Sequence, residues 1–238
     1  LEGHFSPTFR GWDMNYSDID RVNDWEGEFS EFEKNGGLPQ LNIIRLPNDH
    51  TEGTRKGKLT PRAYVAQNDY ALGLLVERIA KSKFWMESAI FVIEDDAQDG
   101  PDHVDAHRTV GLVISPYTKH RFVDNTLYTT ASMLRTIELI LGLPPMSQFD
   151  ASAIPMFNSF TRTADTTGYA AEPPRYDITR TNREGDYGQV IMEQMDLTKE
   201  DAAPDRLFNE IIWRSIKGTP MPPPRYSIFS GRPKGDED

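Results

Sequence analysis

Hydrophobic residues recur every three or four positions in four segments of the chain, and this spacing predicts amphipathic helices. The segments cover about residues 17–34, a stretch that begins at residue 60, about residues 130–141, and residues 205–217. Residues at the ends support these limits, because Ser17 and Thr60 are typical N-caps and Gly142 is typical of a helix C-terminus. Pro61 would occupy the first turn of the second helix, where its missing N–H group costs nothing.

Three short apolar runs lie between the first three helices and predict buried strands at Leu41–Leu46, Ala89–Ile93 and Val110–Ile114. Strands that alternate with helices favour an α/β domain with a largely parallel sheet. Residues 158–203 show no sustained period. The tail, residues 219–238, contains three consecutive prolines and predicts an extended arm.

The composition narrows the classes of function. The chain has 238 residues and a formal net charge of −11, which disfavours a nucleic-acid partner. No apolar run approaches the roughly 20 residues of a transmembrane helix, so no membrane-spanning segment is expected. Because cysteine is absent, disulfides, thiol nucleophiles and cysteine–zinc sites are excluded. Residues 1–10 have neither the basic nor the apolar region of a signal peptide, so none is expected in this chain.

Acidic residues and histidines follow two of the predicted strands directly. Asp49 and His50 come after the first strand, and Glu94–Asp96 continues from the second, with eight acidic or histidine residues within positions 94–107. In open α/β sheets, sites gather at the carboxyl ends of the strands. Adjacent carboxylates repel each other, so a divalent cation is a natural counter-charge. Carboxylate oxygens together with imidazole nitrogens suit Zn²⁺, Mn²⁺ or Fe.

Simpler interpretations compete with a metal site. An Asp-rich loop is usually a solvated turn, and Asp99–Gly100 alone is a turn signal. His103 and His107 could both lie on the surface, and Asp49–His50 could cap a turn. The joint appearance of acids and histidines after two predicted strands favours a site over these readings.

Three stretches of the sequence resemble the phosphoesterase family, which includes bacterial phospholipases C and acid phosphatases within the alkaline phosphatase superfamily. They are "RLPNDHTEGT", "FVIEDDAQDGPDHVDAHRTVGLVISPY" and "YTTASMLRTIELILGLPPM". The similarity covers roughly residues 10–157 and is most specific at 90–117. Relatives of this type are often fused to a β-propeller.

The resemblance implies a fold and a mechanism. The fold would be an alkaline-phosphatase-like sandwich, with a mainly parallel sheet between helices. The activity would be metal-dependent hydrolysis of a small-molecule or lipid phosphate ester, with one or two divalent ions (Zn, Mn, Fe or Ca). The implied metal ligands are Asp49, His50, Asp95, Asp96, His103 and His107. Thr51 and Arg108 are implied contacts of the phosphoryl group.

The family's nucleophile precedes these motifs by a long stretch, and no matching motif lies among the 48 residues before Asp49. We therefore expect residues 1–157 to form the C-terminal part of a phosphoesterase domain, inactive alone. The nucleophile would lie upstream, and the sheet would be incomplete, with an exposed edge and apolar surface. Residues 158–238 would be an irregular extension packed on that domain. The missing N-terminal part or a β-propeller would cover the exposed surface.

Two alternatives remain open at the level of the sequence. The chain could be a non-catalytic surface or binding module that retains an acidic, metal-like cluster, or it could be a sulfatase or phosphomutase relative of the same fold. Glycine-rich nucleotide loops and the nucleophile elbow of serine hydrolases are both absent. The resemblance also implies a periplasmic, secreted or cell-surface location in a bacterium.

Overall fold

The computed structural model describes residues 2–95, 108–199 and 202–222. In chain order these residues form α1 (Asp18–Asn35), α2 (Pro61–Ala80), β1 (Ile90–Ile93), β2 (Gly111–Ile114), α3 (Thr130–Leu141), α4 (Gln148–Ser152), α5 (Gln189–Met192) and α6 (Asp205–Lys217). Single turns of 3₁₀ helix lie at Pro47–His50, Trp85–Glu87 and Phe157–Ser159. Helices and strands are both present, so the predicted α/β class is confirmed.

The capping residues that the sequence identifies hold the helix ends. The Ser17 hydroxyl accepts a hydrogen bond from the Asp20 amide at 3.0 Å, which satisfies one free donor of the first turn of α1. Thr129 and Ser132 form a reciprocal capping box at the start of α3. Gly142 ends α3 in the left-handed conformation, with φ at 70°. The predicted limits of α1, α3 and α6 agree with the structure to within one residue.

The largest buried apolar cluster lies between α1 and α2. Val22, Trp25 and Phe29 of α1 pack against Ala71 and Leu75 of α2, and all five side chains are buried. Their spacing of three and four positions puts them on one face of each helix. The 3₁₀ turn at Pro47–His50 packs against α2 of this helix pair.

The two described strands pair antiparallel, and Ile90 lies opposite Ile114. The prediction of a largely parallel sheet is therefore wrong for this pair. The two strands are joined by residues 94–110, and an antiparallel pair needs only a loop for its connection. Apolar runs indicate where strands lie but not their relative direction, so the sequence pattern could not predict that this pair is antiparallel. The alkaline-phosphatase-like sandwich remains a prediction.

The first predicted strand along the chain, Leu41–Leu46, does not form. This segment has no strand pairing in the described part of the chain, and Ile43 is 87% exposed. Ile44 and Leu46 instead pack against the cluster between α1 and α2. A helix pair, rather than a neighbouring strand, therefore provides the apolar contacts that the sequence pattern anticipates.

A large apolar surface extends from β2 to the turn at Phe157–Ser159. Thirteen large hydrophobic residues there are exposed, and several are more than two thirds accessible. Exposed hydrophobic residues in this number are typical of a surface that a partner or another part of the protein covers. We name it the 110–157 surface; it consists of Val110, Leu112, Tyr117, Phe122, Val123, Leu127, Leu139, Ile140, Leu143, Met146, Phe149, Ile154 and Phe157.

Residues 158–222 contact the loop that precedes α2. The Asn182 side chain donates to the carbonyl oxygens of Gly53, Arg55 and Leu59, at 2.9, 3.0 and 3.0 Å. Arg55 in turn donates to the carbonyl of Met192 at 2.9 Å. A second buried apolar cluster joins the region after α5 to α6, and comprises Met192, Met195, Leu197, Phe208 and Ile211. Within the described ranges, no helix has the length and apolarity to cross a membrane.

Candidate acidic site at the end of the hairpin

The end of β1 and the 3₁₀ turn at Pro47–His50 meet through two carboxyl groups. The side chain of Glu94, the first residue after β1, lies close enough to that of Asp49 for a hydrogen bond between the two carboxyl groups. Two carboxyl groups can share a hydrogen bond only when one of them carries a proton. That bond is the largest cause of the raised pKa of Glu94, and burial and the charges of Asp49 and Asp95 raise it further, to about 8.

The hairpin fixes the position of Glu94. Its amide donates to the carbonyl oxygen of Val110 at 3.3 Å, which continues the pairing of β1 with β2 by one residue. Glu94, Arg108, Thr109 and Val110 line an open depression of about 470 Å³. An acidic residue and an arginine therefore line the same open space.

His50 lies between two aromatic rings from distant parts of the chain. Phe208 of α6 stacks on it with ring centroids 5.1 Å apart, and Trp12 meets it edge-on at 4.9 Å. The His50 Nδ1 atom is 3.1 Å from the carbonyl oxygen of Thr51. A carbonyl oxygen only accepts, so the contact is a hydrogen bond in the tautomer that has its proton on Nδ1, and that tautomer has its lone pair on Nε2. Histidine ligands of metals are commonly oriented by such a backbone contact.

Thr51 has an unusual backbone conformation. Its φ is 66° and its ψ is 166°, a region that β-branched residues avoid because Cβ collides with the backbone. The side chain is buried, and its hydroxyl accepts from the Gly53 amide at 3.0 Å. Thr51 directly follows Asp49 and His50 in the chain. Strained residues of this kind concentrate at functional sites.

Glu52 fixes the other side of this turn. Its buried carboxylate accepts from the Tyr64 hydroxyl at 2.7 Å and lies 3.0 Å from Lys58 and 3.3 Å from Arg55. Burial and the hydrogen bond with Glu52 raise the pKa of Tyr64. Glu52 is fully engaged with protein groups, so its role here is structural.

The structure brings together only part of the predicted site. Asp49 and Asp95 both lie next to Glu94, and Arg108 borders the same depression. Thr51 is buried within its own loop, and His50 is held in its aromatic cage one residue from Asp49. Three predicted ligands lie outside the described residues: Asp96, His103 and His107. Within the described ranges, no group of three or more metal-ligating side chains is assembled.

Glu94 is absent from the predicted ligands, although it is the residue that contacts Asp49. Its position at the head of the acidic run was visible in the sequence. The resemblance directed attention to the following pair, Asp95 and Asp96. The predicted end of the strand at Ile93 could have identified Glu94. The first residue after a strand is often still fixed by hydrogen bonds to the neighbouring strand.

The acidic residues at the end of the β-hairpin lie on an α/β scaffold of helices and a two-stranded sheet. The chain belongs to the phosphoesterase family, whose model, described as "Phosphoesterase family", matches residues 3–144 and thus more than half of the chain. A search of curated proteins found no match. Membership of this family points to phosphoric ester hydrolysis and to phosphate esters as substrates.

Proposed function

We propose that this chain carries the metal-binding part of a metal-dependent phosphoric ester hydrolase. The contact between Asp49 and Glu94 is the observation that supports this proposal best. Two carboxyl groups this close favour a state in which one of them keeps a proton. A divalent cation would take the place of that proton. Oxygen donors of this kind fit Mn²⁺, Zn²⁺ or Ca²⁺.

Asp49, Glu94 and Asp95 would hold the ion, and Asp96, His103 and His107 are the further predicted ligands. His50 is a candidate through Nε2, because Nδ1 is engaged by the Thr51 carbonyl. A divalent ion supplies Lewis-acid polarisation of a phosphoryl oxygen and lowers the pKa of water.

Arg108 would bind the phosphate group of the substrate. Arg108 lines the same depression as Glu94. Guanidinium groups match pairs of phosphate oxygens in geometry and charge. The protein groups would thus orient the ester with its phosphorus directed towards the acidic pair. Proximity and charge compensation are the main contributions that proteins make to phosphoryl transfer.

The 110–157 surface supports the further proposal that other parts of the same protein complete the domain. A two-stranded hairpin is marginally stable alone, and additional strands on either edge of the pair formed by β1 and β2 would cover apolar side chains. Those parts would also supply the Ser or Thr nucleophile. Inactivity of the isolated chain, attachment to a β-propeller and a periplasmic or cell-surface location remain predictions.

A binding test distinguishes this proposal from a non-catalytic role. Mn²⁺ is titrated into the metal-free chain, and the free ion is followed by its electron paramagnetic resonance signal. We expect binding that is weakened at least about tenfold by Asp49→Asn or Glu94→Gln. Glu172→Gln is the matched control, because Glu172 pairs with Arg175 on the exposed surface. Equal affinity in all variants would overturn the proposed metal site.

An activity test then separates a hydrolase from a binding module. The protein that carries this chain, with all flanking residues, is assayed with a chromogenic phosphate ester in the presence of Mn²⁺ or Zn²⁺. Metal-dependent phosphate release that is lost with Asp49→Asn supports the hydrolase. Metal binding without release supports the binding module. Release of sulfate instead of phosphate from paired substrates would favour the sulfatase alternative.

A further inference from the structure

A buried network of polar groups holds the residues that immediately precede Asp49. Asp18 and Arg21 of α1 are fully buried, and their side chains lie 3.0 Å apart. The guanidinium also donates to the side-chain oxygen of Asn48 at 3.0 Å. The carboxylate accepts from the backbone amide of Asn48 at 3.1 Å. Both charged groups therefore contact Asn48, the neighbour of Asp49.

Asn68 of α2 also belongs to this network. Asn68 donates to Asp18 at 3.0 Å and to the carbonyl oxygen of Leu46 at 2.8 Å. Asn48 itself donates to the carbonyl oxygen of Tyr16 at 2.8 Å. Residues 46 and 48 are thus fixed through backbone and side chain together. Such restraint leaves the following residue little freedom to move.

All donors of Arg21 are occupied. Besides Asp18 and Asn48, the guanidinium donates to four carbonyl oxygens of the N-terminal segment, those of Arg10, Gly11, Asp13 and Tyr16. Stability alone does not require such a network, because apolar residues of the same volume often serve as well. A fully satisfied buried network does define one arrangement of the elements around it.

We infer that the buried pair of Asp18 and Arg21, together with Asn68, positions Asp49 against Glu94. The pair acts through Asn48 and touches neither Glu94 nor the depression. It is therefore a positioning device rather than part of the site. The positioning of Asp49 does not depend on the proposed function. The expected effect on metal binding does depend on it.

Two readouts separate positioning from a merely structural role. The first is Mn²⁺ affinity, measured by electron paramagnetic resonance in Asp18→Asn and in the milder Asn68→Ala. The second readout is a cross-linking yield, which needs no metal. The chain has no cysteine of its own, so two introduced cysteines are its only thiols. Asp49→Cys and Glu94→Cys are combined, and a short bifunctional thiol reagent reports how often the two positions meet. The control is Asp150→Asn, which alters a buried carboxylate that caps α4, away from the network.

We expect both network variants to lower the cross-linking yield severalfold and to weaken Mn²⁺ binding about tenfold or more, as changes around a ligand commonly do. Asp150→Asn should lower the melting temperature and leave both readouts unchanged. Network variants that lower only the melting temperature would overturn the inference. A fall in cross-linking in a chain that binds no Mn²⁺ supports the inference and refutes the proposed metal site. Asn68→Ala keeps the test available if Asp18→Asn does not fold.

Discussion

The carboxyl group of Glu94 lies within hydrogen-bonding reach of that of Asp49, and this contact joins the end of the hairpin to the turn at Pro47–His50. This contact places two acidic groups where one proton, or one cation, must compensate their charge. Its effect on the stability of the folded protein can be measured without any substrate.

The stability of the metal-free protein should fall as the pH rises from about 4.5 to about 8. Glu94 has its pKa raised from 4.5 to about 8, so the folded protein retains a proton that the unfolded chain has lost. Stabilisation by that proton is complete below the unfolded pKa and disappears as the pH passes the folded pKa. Urea unfolding in chelator at several pH values measures the trend. Glu94→Gln should flatten it, and an unchanged slope in that variant would refute the assignment.

Asp49→Asn should stabilise the metal-free protein at pH 8 while it weakens Mn²⁺ binding. The amide removes the repulsion between two carboxylates and can donate to Glu94, but it is a poorer ligand for a cation. Gains in stability at the expense of binding are typical of functional sites. The urea midpoint and the Mn²⁺ affinity are measured on the same samples. A loss of stability would show that Asp49 serves the fold rather than the site.

Thr51→Gly should be more stable than Thr51→Ala, although alanine retains more of the side chain. Both variants lose the hydrogen bond from the Gly53 amide, so that loss cancels in the comparison. Only glycine adopts a φ of 66° with a ψ of 166° at no steric cost. The difference in the free energy of unfolding should be about 1–3 kcal/mol. Denaturant unfolding measures it, and the reverse order would exclude strain at this position.

Gly188→Ala should destabilise the protein more than Gly57→Ala. Both glycines have φ near 76°, at 75° and 77°, so the conformational penalty is shared. A Cβ atom at Gly188 would lie 2.7 Å from the side chain of Ile211, whereas one at Gly57 would meet nothing within 4 Å. The excess loss, about 1–3 kcal/mol, reports overpacking against α6. Thermal and urea unfolding of the pair measure it, and equal losses would show that Ile211 yields freely.

The sequence predicted that Asp49 and the acids after β1 form one site, and this ligand set stays a prediction, although the structure has Glu94 beside Asp49. The prediction placed both after strands of one sheet, whereas residues 41–46 form no strand. Asn48, the neighbour of Asp49, is bound by Asp18 and Arg21, and Asn68 binds Asp18 and the carbonyl oxygen of Leu46. Hydrophobic periodicity assigns such polar residues to the solvent side. Their burial depends on hydrogen bonds between distant segments, which no local pattern encodes.

Helix limits were predictable because capping is a local matter, decided by Ser17, Thr129 or Gly142 within a few residues of each end. Strand direction was not, since Ile90–Ile93 would have the same apolar pattern beside a parallel or an antiparallel neighbour. The choice of ligands stays a prediction, because Asp96, His103 and His107 lie outside the described residues. The difference between Glu94 and Asp95 is one residue in sequence, yet side chains alternate along an extended chain.

The aromatic contact between His50 and Phe208 determines how the protein can be shortened for study. Residues 1–157 resemble a natural unit, and a truncation after Phe157 would be the obvious choice. That truncation would uncover one face of the His50 ring and remove Asn182, which binds three carbonyl oxygens of the loop before α2. The shortest useful version of the protein therefore extends through α6, and a fragment that ends earlier would misreport the chemistry of the acidic site.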